Sequence, residues 1–189
     1  MTPRECACVP EIVARQPVSV GETAWLRSLP SAARFVFRGN APARLAAGAV
    51  LGTPLATVAC RATTNGTCAA LWLGPDEHLL IAPESAAATL AADLARALAG
   101  QPHSLVDVGD RQLALELRGV HAEWLLAALC PLPLDLTAFP VGMCTRTVFA
   151  KAEVVLWRTA PETFRLEVAR SFARYVAAML GEIAHELPA

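Results

Sequence analysis

Charge is scarce in this sequence. Only 17% of the 189 residues are charged, and the formal net charge is −1. A chain this close to neutral offers no basic face for nucleic acid or for an anionic membrane. Glycine is thin as well. The 11 glycines are dispersed, and none makes the glycine-rich turn that opens a helix and cradles phosphate. FMN, FAD or NAD held by this chain alone is therefore not expected. Long apolar runs are missing too. The longest uncharged stretch, Leu45 to Cys60, is broken by Gly48, Gly52 and Pro54 and consists mostly of small residues. A membrane helix is not expected there. The first residues include Pro3, Arg4 and Glu5 but no apolar core. No signal peptide is expected, and the chain reads as cytoplasmic.

Ligand-spaced cysteines are confined to Cys6-Ala7-Cys8, and the other four stand singly. A zinc site needs a second pair. The six cysteines therefore read as reduced thiols, two in an amino-terminal tail and four as small apolar fillers. Asn65-Gly66-Thr67 has the form of a glycosylation acceptor, but without a secretory route it reads as a turn.

What is abundant is apolar mass, at 54% of residues. That is richer than an ordinary soluble chain, although much of it is alanine. Apolar surface left after the core is filled usually ends in an interface. The length suits one domain. Residues 1 to 31 hold Pro3, Pro10, Pro17 and Pro30 without a sustained period and read as an extended arm that docks on a partner. Residues 32 to 189 read as a single α+β domain.

Within that domain, Ala33 to Arg38 reads as a strand closed by Gly39. Residues 40 to 67 are rich in Ala, Gly and Pro, with one short helix near Ala43 to Ala47. Cys68 to Leu73 and His78 to Ala82 form a hairpin across Gly74-Pro75-Asp76-Glu77. Ser85 to Ala99 is a helix with Leu90, Leu94 and Leu98 on one face, stopped by Gly100. Ser104 to Val108 and Leu113 to Leu117 are strands joined through Gly109-Asp110, the second with alternating Leu113, Leu115 and Leu117. Val120 to Cys130 is a largely buried helix around Trp124.

After a proline-rich connection, Pro131 to Pro140, come strands at Thr145 to Phe149, Glu153 to Trp157 and Thr163 to Val168. Phe164, Leu166 and Val168 share one face of the last strand; Arg165 and Glu167 take the other. The final helix starts near Ser171, its expected N-cap, with Phe172, Val176, Met179, Leu180 and Ile183 as its stripe. Three strand–strand–helix units, the third with an extra strand, make an α+β fold: a mainly antiparallel sheet with helices on one side. The leucine and phenylalanine faces and the helix stripes are expected to meet in one core.

Candidate chemical residues each have a plain structural reading. A nucleophile needs a base beside it, and no spacing brings Cys144 to His121, so Cys144 reads as packed. His78 reads as solvated, at an edge or interface. His103 and His185 read as surface residues. Asp107 is either a binding carboxylate or, the preferred reading, an ion pair or an Asx turn cap. Trp72, Trp124 and Trp157 suit core packing or interface anchoring. Trp157, on the more polar strand face with Glu153 and Val155, is the preferred anchor. No catalytic, cofactor-binding or metal residue is assigned in this chain. Trp157 and His78 are the candidate interface residues.

Five runs give the chain a family likeness. They are Leu71-Trp72-Leu73-Gly74-Pro75-Asp76-Glu77, Ser104 through Gln112, Cys130-Pro131-Leu132-Pro133-Leu134-Asp135-Leu136, Phe139 through Thr147, and Lys151 through Arg158. With Phe164 through Phe172 they resemble the gamma subunit of heterotetrameric sarcosine oxidase, from about Ala33 onward. His78 departs from the pattern, where tryptophan would follow Gly-Pro-Asp-Glu. A fainter resemblance, through Val106-Asp107-Val108, Leu113 to Leu117, Gly119, Ala122 and Leu125-Leu126, is to the folate-binding domain of aminomethyltransferases, the T-protein of glycine cleavage. It implies the same α+β fold.

The first resemblance implies a non-catalytic accessory subunit with alpha and beta subunits as partners. FAD, FMN, NAD and tetrahydrofolate would sit on the large subunits and zinc on the small delta subunit. The complex would convert sarcosine, oxygen and tetrahydrofolate to glycine, peroxide and methylenetetrahydrofolate. The alternatives are a stand-alone folate-binding or one-carbon-transfer protein, or a scaffold domain of another amine-oxidising complex.

Overall fold

The computed structural model describes residues 18–19 and 24–185. Cys6, Cys8 and most of the expected arm lie outside them. The strands in chain order are β1 (Val18–Ser19), β2 (Ala24–Ser28), β3 (Ala32–Gly39), β4 (Ala62–Asn65), β5 (Cys68–Trp72), β6 (Glu77–Pro83), β7 (His103–Asp107), β8 (Gln112–Gly119), β9 (Cys144–Phe149), β10 (Ala152–Ala160) and β11 (Thr163–Ala169). The helices are α1 (Ala41–Leu51), α2 (Ala87–Ala97), α3 (Ala122–Ala127) and α4 (Ala173–Ala184).

Every strand pairing is antiparallel, and the α+β class is as expected. The strands form two sheets rather than the single sheet expected. One has six strands in the order β1-β2-β8-β11-β10-β9; the other has five, β4-β5-β6-β3-β7. The turn at Gly109-Asp110 carries the chain from β7 in one sheet to β8 in the other. Turn composition alone does not reveal whether the strands it joins are paired, and here they are not.

Three apolar clusters fix the layers. Leu115, Leu117, Phe164, Leu166 and Val168 pack with Val176 and Leu180 of α4 and Leu125 of α3 on the outer face of the six-stranded sheet. Phe35, Phe37 and Leu80 pack with Ala43 and Ala47 of α1 and Leu90, Leu94 and Leu98 on the outer face of the five-stranded sheet. Ala69, Leu71, Leu79, Ile81, Val108, Cys144 and Val155 lie between the sheets. The order is helix, sheet, sheet, helix. The expected single core is thus two outer cores and a middle one, and the Leu90/Leu94/Leu98 stripe belongs to a different core from Leu115 and Leu166. Phe172, expected in the α4 stripe, is 43% exposed.

Several boundaries move for local reasons. α1 extends well beyond Ala47. The Asn40 side chain accepts a 3.0 Å hydrogen bond from Ala43 N, Pro42 sits in the first turn, and Gly52 closes the helix at φ 77°. Its buried positions Ala43, Ala47 and Leu51 recur every four residues. Small side chains let this helix lie close on its own sheet, so the segment from Leu45 packs within the chain. β2 also corrects the arm: Ala24 and Leu26 are core residues, and β2 pairs along β8. α3 is shorter than expected, and Trp124 at its start is 44% exposed. No side chain among the described residues caps α4. A single tight turn, Arg170–Phe172, leads into it, so Ser171 is not the N-cap.

The proline-rich connection before β9 is held by one buried guanidinium. Arg158 of β10 is 1% exposed. Its Nη1 donates to Leu134 O at 2.6 Å and Phe139 O at 2.9 Å, and its Nη2 to Glu123 Oε2 at 2.9 Å and Pro161 O at 2.6 Å. The group also lies 4.6 Å from the centre of the Phe164 ring. Three carbonyls and a carboxylate need a planar fork, which lysine lacks.

Substituting Leu115→Ala or Leu166→Ala is expected to cost about 2–5 kcal/mol in urea unfolding, as for other core leucines. Arg158→Lys should cost at least about 2 kcal/mol despite keeping the charge, because buried carbonyls lose their donors. A loss under about 0.5 kcal/mol in Arg158→Lys, the range of ordinary surface changes, would remove the stapling role.

Candidate functional site

The chemistry-bearing residues collect on the inner faces of the two sheets. Strand register sets the rows. Arg27 of β2 lies opposite Glu116 of β8, which lies opposite Arg165 of β11, which lies opposite Trp157 of β10 and then Cys144 of β9. The next row holds Ala114, Glu167, Val155 and Arg146. Across the gap, β3 of the other sheet contributes Arg34.

The centre is a buried carboxylate between two guanidinium groups. Glu167 is 1% exposed and Arg34 is 1% exposed. Glu167 Oε2 accepts from Arg34 Nε at 2.6 Å, and Glu167 Oε1 accepts from Arg165 Nε at 2.7 Å. Arg34 Nη1 also donates to Ala32 O at 3.0 Å. Both glutamate oxygens are engaged, which suits an ionised carboxylate out of water. The alternation that put Arg165 and Glu167 on a polar face was legible; that this face is buried was not. Arg34 sits in the Ala33 to Arg38 strand, where an isolated basic residue on a face with Ala32 and Val36 was the available signal.

Beside this network is a cavity of about 50 Å³, lined by Arg111, Gln112, Arg146, Glu153 and Glu167 and by apolar residues of both sheets. Three buried polar atoms in this middle layer have no partner among the described residues: Arg34 Nη2, Gln112 Oε1 and Trp157 Nε1. A polar space of this size is large enough for ordered water.

The residues singled out in the sequence fall as follows. Trp157 packs against the inter-sheet cluster, with the Arg165 guanidinium 5.9 Å from its ring centre. Its contacts are thus between the two sheets of this chain. His78 is fully buried in β6 rather than solvated, with no surface to offer a partner. Its Nε2 lies 2.8 Å from Ala56 O, so Nε2 donates, while Nδ1 has no partner among the described residues. Ala56 belongs to the segment after α1, which covers what would otherwise be an open histidine.

Cys144 lies between the sheets, its Sγ 3.6 Å from Trp72 O. Burial pushes its thiol up to about 12, so it is no thiolate at neutral pH. His121 stands at the start of α3 on the other side of the six-stranded sheet, and the two are not brought together. Asp107 caps its own turn: Oδ1 accepts from Gly109 N at 2.8 Å, the Asx reading. His103 is exposed, its Nδ1 2.8 Å from Gln101 O, and His185 is exposed as expected. Asn65-Gly66-Thr67 is the turn between β4 and β5, with Gly66 at φ 59°.

The comparisons decide the family. Residues 38–186 match the profile of the sarcosine oxidase, gamma subunit family. The chain belongs to the sarcosine oxidase gamma subunit family. A gamma subunit of sarcosine oxidase from Corynebacterium sp. (strain P-1) is 38% identical over 133 residues, which covers 70% of this chain and 64% of that one. The chain thus spans just under two thirds of that relative's length.

Among solved structures, a chain of the heterotetrameric sarcosine oxidase from Corynebacterium sp. U-96 superposes with a TM-score of 0.83. It is 28% identical and covers 92% of this chain and 89% of that one. Aminomethyltransferase T of the glycine cleavage system from Bartonella henselae superposes at 0.64 with 16% identity, over 87% of this chain and 47% of that one. That likeness is one of fold. No helix among the described residues of this gamma-family chain is long and apolar enough to cross a membrane.

Burial holds the His78 pKa below its ordinary value, and the hydrogen bond to Ala56 O opposes this only in part. The unfolded chain therefore takes the proton more readily. The stability tied to neutral His78 is fully present above about pH 6.5, the ordinary histidine value, and is lost as pH falls below it. Urea midpoints at pH 7.5 and 5.5 should drop more in the wild type than in His78→Gln. Equal drops would show that His78 takes no part.

Proposed function

We propose that this chain is the accessory, gamma-type subunit of a heterotetrameric sarcosine oxidase, with alpha and beta subunits as its partners. The observation that carries the reading is the family match across residues 38–186, joined to a TM-score of 0.83 with a chain of such a complex. The residues with reactive potential support it, because each already has a structural task. Cys144 is a buried neutral thiol, His78 holds the segment after α1, Asp107 closes a turn, and Glu167 joins the sheets.

In this reading the chemistry belongs to the partners. FAD, FMN, NAD and tetrahydrofolate are carried by the large subunits and zinc by the small delta subunit. The assembled complex oxidises sarcosine to glycine, with oxygen reduced to peroxide and the one-carbon unit passed to tetrahydrofolate. The proposed location is the cytoplasm, where reduced thiols such as Cys60 and Cys68 are stable.

Co-expression with the large subunits tests this. A stable complex containing this chain, with sarcosine-dependent peroxide production, is the expected result. The isolated chain should show no flavin absorbance, no sarcosine oxidation and no tetrahydrofolate binding. Any of these activities from the isolated polypeptide would overturn the accessory reading.

A further inference from the structure

The six-stranded sheet is wider than the layer that covers its inner face. The middle cluster draws its six-stranded-sheet residues from β9 and β10, Cys144, Val155 and Trp157, and none from β2. The inner-face side chains of β2 and of the far end of β8 are consequently open. Trp25 is 44% exposed, and Arg118, directly opposite it in register, is exposed. A recess of about 400 Å³ is lined there, among the described residues, by Trp25, Arg27, Glu116 and Arg118.

The charge of this face is one-sided. Arg27 pairs with Glu116 at 2.7 Å, and Glu167 is shared by Arg34 and Arg165. Arg118 has no acidic partner among the described residues. Arg34 is buried and belongs to the other sheet, so on the open strip Arg27 and Arg118 face Glu116 alone, which leaves one unpaired positive charge, that of Arg118. An indole beside an unpaired arginine at the open end of a buried charge network is a composition that interface centres favour.

We propose that this open face, centred on Trp25 and Arg118, docks an acidic segment of a partner subunit. The carboxylate of that segment pairs with Arg118, and an apolar side chain next to it lies on the Trp25 indole. The unpaired Arg118 charge complements an acidic surface and not a basic one, and an arginine left in water at a rim steers association as well as holding it. This inference rests on the accessory-subunit reading, since it needs a partner chain.

The test uses the full chain co-expressed with affinity-tagged large subunits. The variants are Trp25→Ala, Arg118→Ala and Arg118→Glu, with Arg96→Glu on exposed α2 as the control. Retention on the tagged subunits is read against rising NaCl, and the thermal midpoint of each isolated chain is read alongside. Arg118→Glu is expected to weaken retention about tenfold or more, and Arg118→Ala to flatten its salt dependence, while Arg96→Glu stays near wild type. Thermal midpoints of the Arg118 variants should stay near wild type, which separates lost docking from lost folding.

Wild-type retention with unchanged retention in both Arg118 variants and Trp25→Ala would overturn the docking face and leave the subunit reading standing. Failure of the wild type itself to assemble would remove the subunit reading and the docking face with it. A lowered thermal midpoint in Arg118→Ala with unchanged retention would assign the recess to this chain's own residues and overturn the proposal.

Discussion

The Glu167 carboxylate between Arg34 and Arg165 is the contact on which the arrangement of the two sheets depends. Apolar packing holds sheets together without choosing a register. The middle cluster is built of small and medium side chains such as Ala69, Ala32, Val155 and Leu79, which would pack in several offsets. A glutamate on β11 that must meet an arginine on β3 admits one offset. Moving such ions out of water costs several kcal/mol each, which the pairing offsets only with good geometry and full hydrogen bonding. Both Glu167 oxygens are bonded at 2.6–2.7 Å. The network therefore contributes specificity of assembly more than net stability.

All but one of the 16 basic residues are arginine, and the buried ones use the whole fork. Arg34 bonds a carboxylate and a carbonyl, and Arg158 bonds Leu134, Phe139 and Pro161 carbonyls with Glu123. The same logic places His78 under Ala56 and Cys144 under Trp72. Groups that elsewhere act as acids, bases or nucleophiles are committed to holding segments of chain. The docking strip proposed for a partner is the part of the six-stranded sheet that the second layer does not cover.

Much of this was legible. Alternation in Leu113 to Leu117 and in Phe164 to Val168, and the spacing of Leu90, Leu94 and Leu98, located those elements and their apolar faces correctly. The Gly-Pro-Asp-Glu hairpin and the Asp107 turn cap followed from local chemistry. What was not legible was nonlocal. Whether β7 and β8 pair is decided by the layers around them, so one sheet was expected where two exist. Polar residues at alternating positions read as solvent-facing, which hid the burial of Glu167 and Arg34. Ala43, Ala47 and Gly48 gave no hydrophobic signal, because close approach and not side-chain size buries α1. β2 offers just Ala24 and Leu26 as a pattern, too short to stand out from an arm. The family likeness survived these errors because it rests on short sequence motifs rather than on topology.

The central claim is that a buried inter-sheet ion pair sets this fold. A double-mutant cycle in urea with Arg34→Met, Glu167→Gln and the double variant tests it most directly. Glu167→Gln leaves the buried Arg34 unmatched and is predicted to cost about 3–5 kcal/mol, whereas Arg34→Met leaves Glu167 still paired with Arg165 and is predicted to cost about 1–3 kcal/mol for the lost donor. The double variant is predicted to be at least about 2 kcal/mol more stable than additivity gives. Single losses under about 1 kcal/mol, adding without coupling, are what a surface pair would show and would contradict the account.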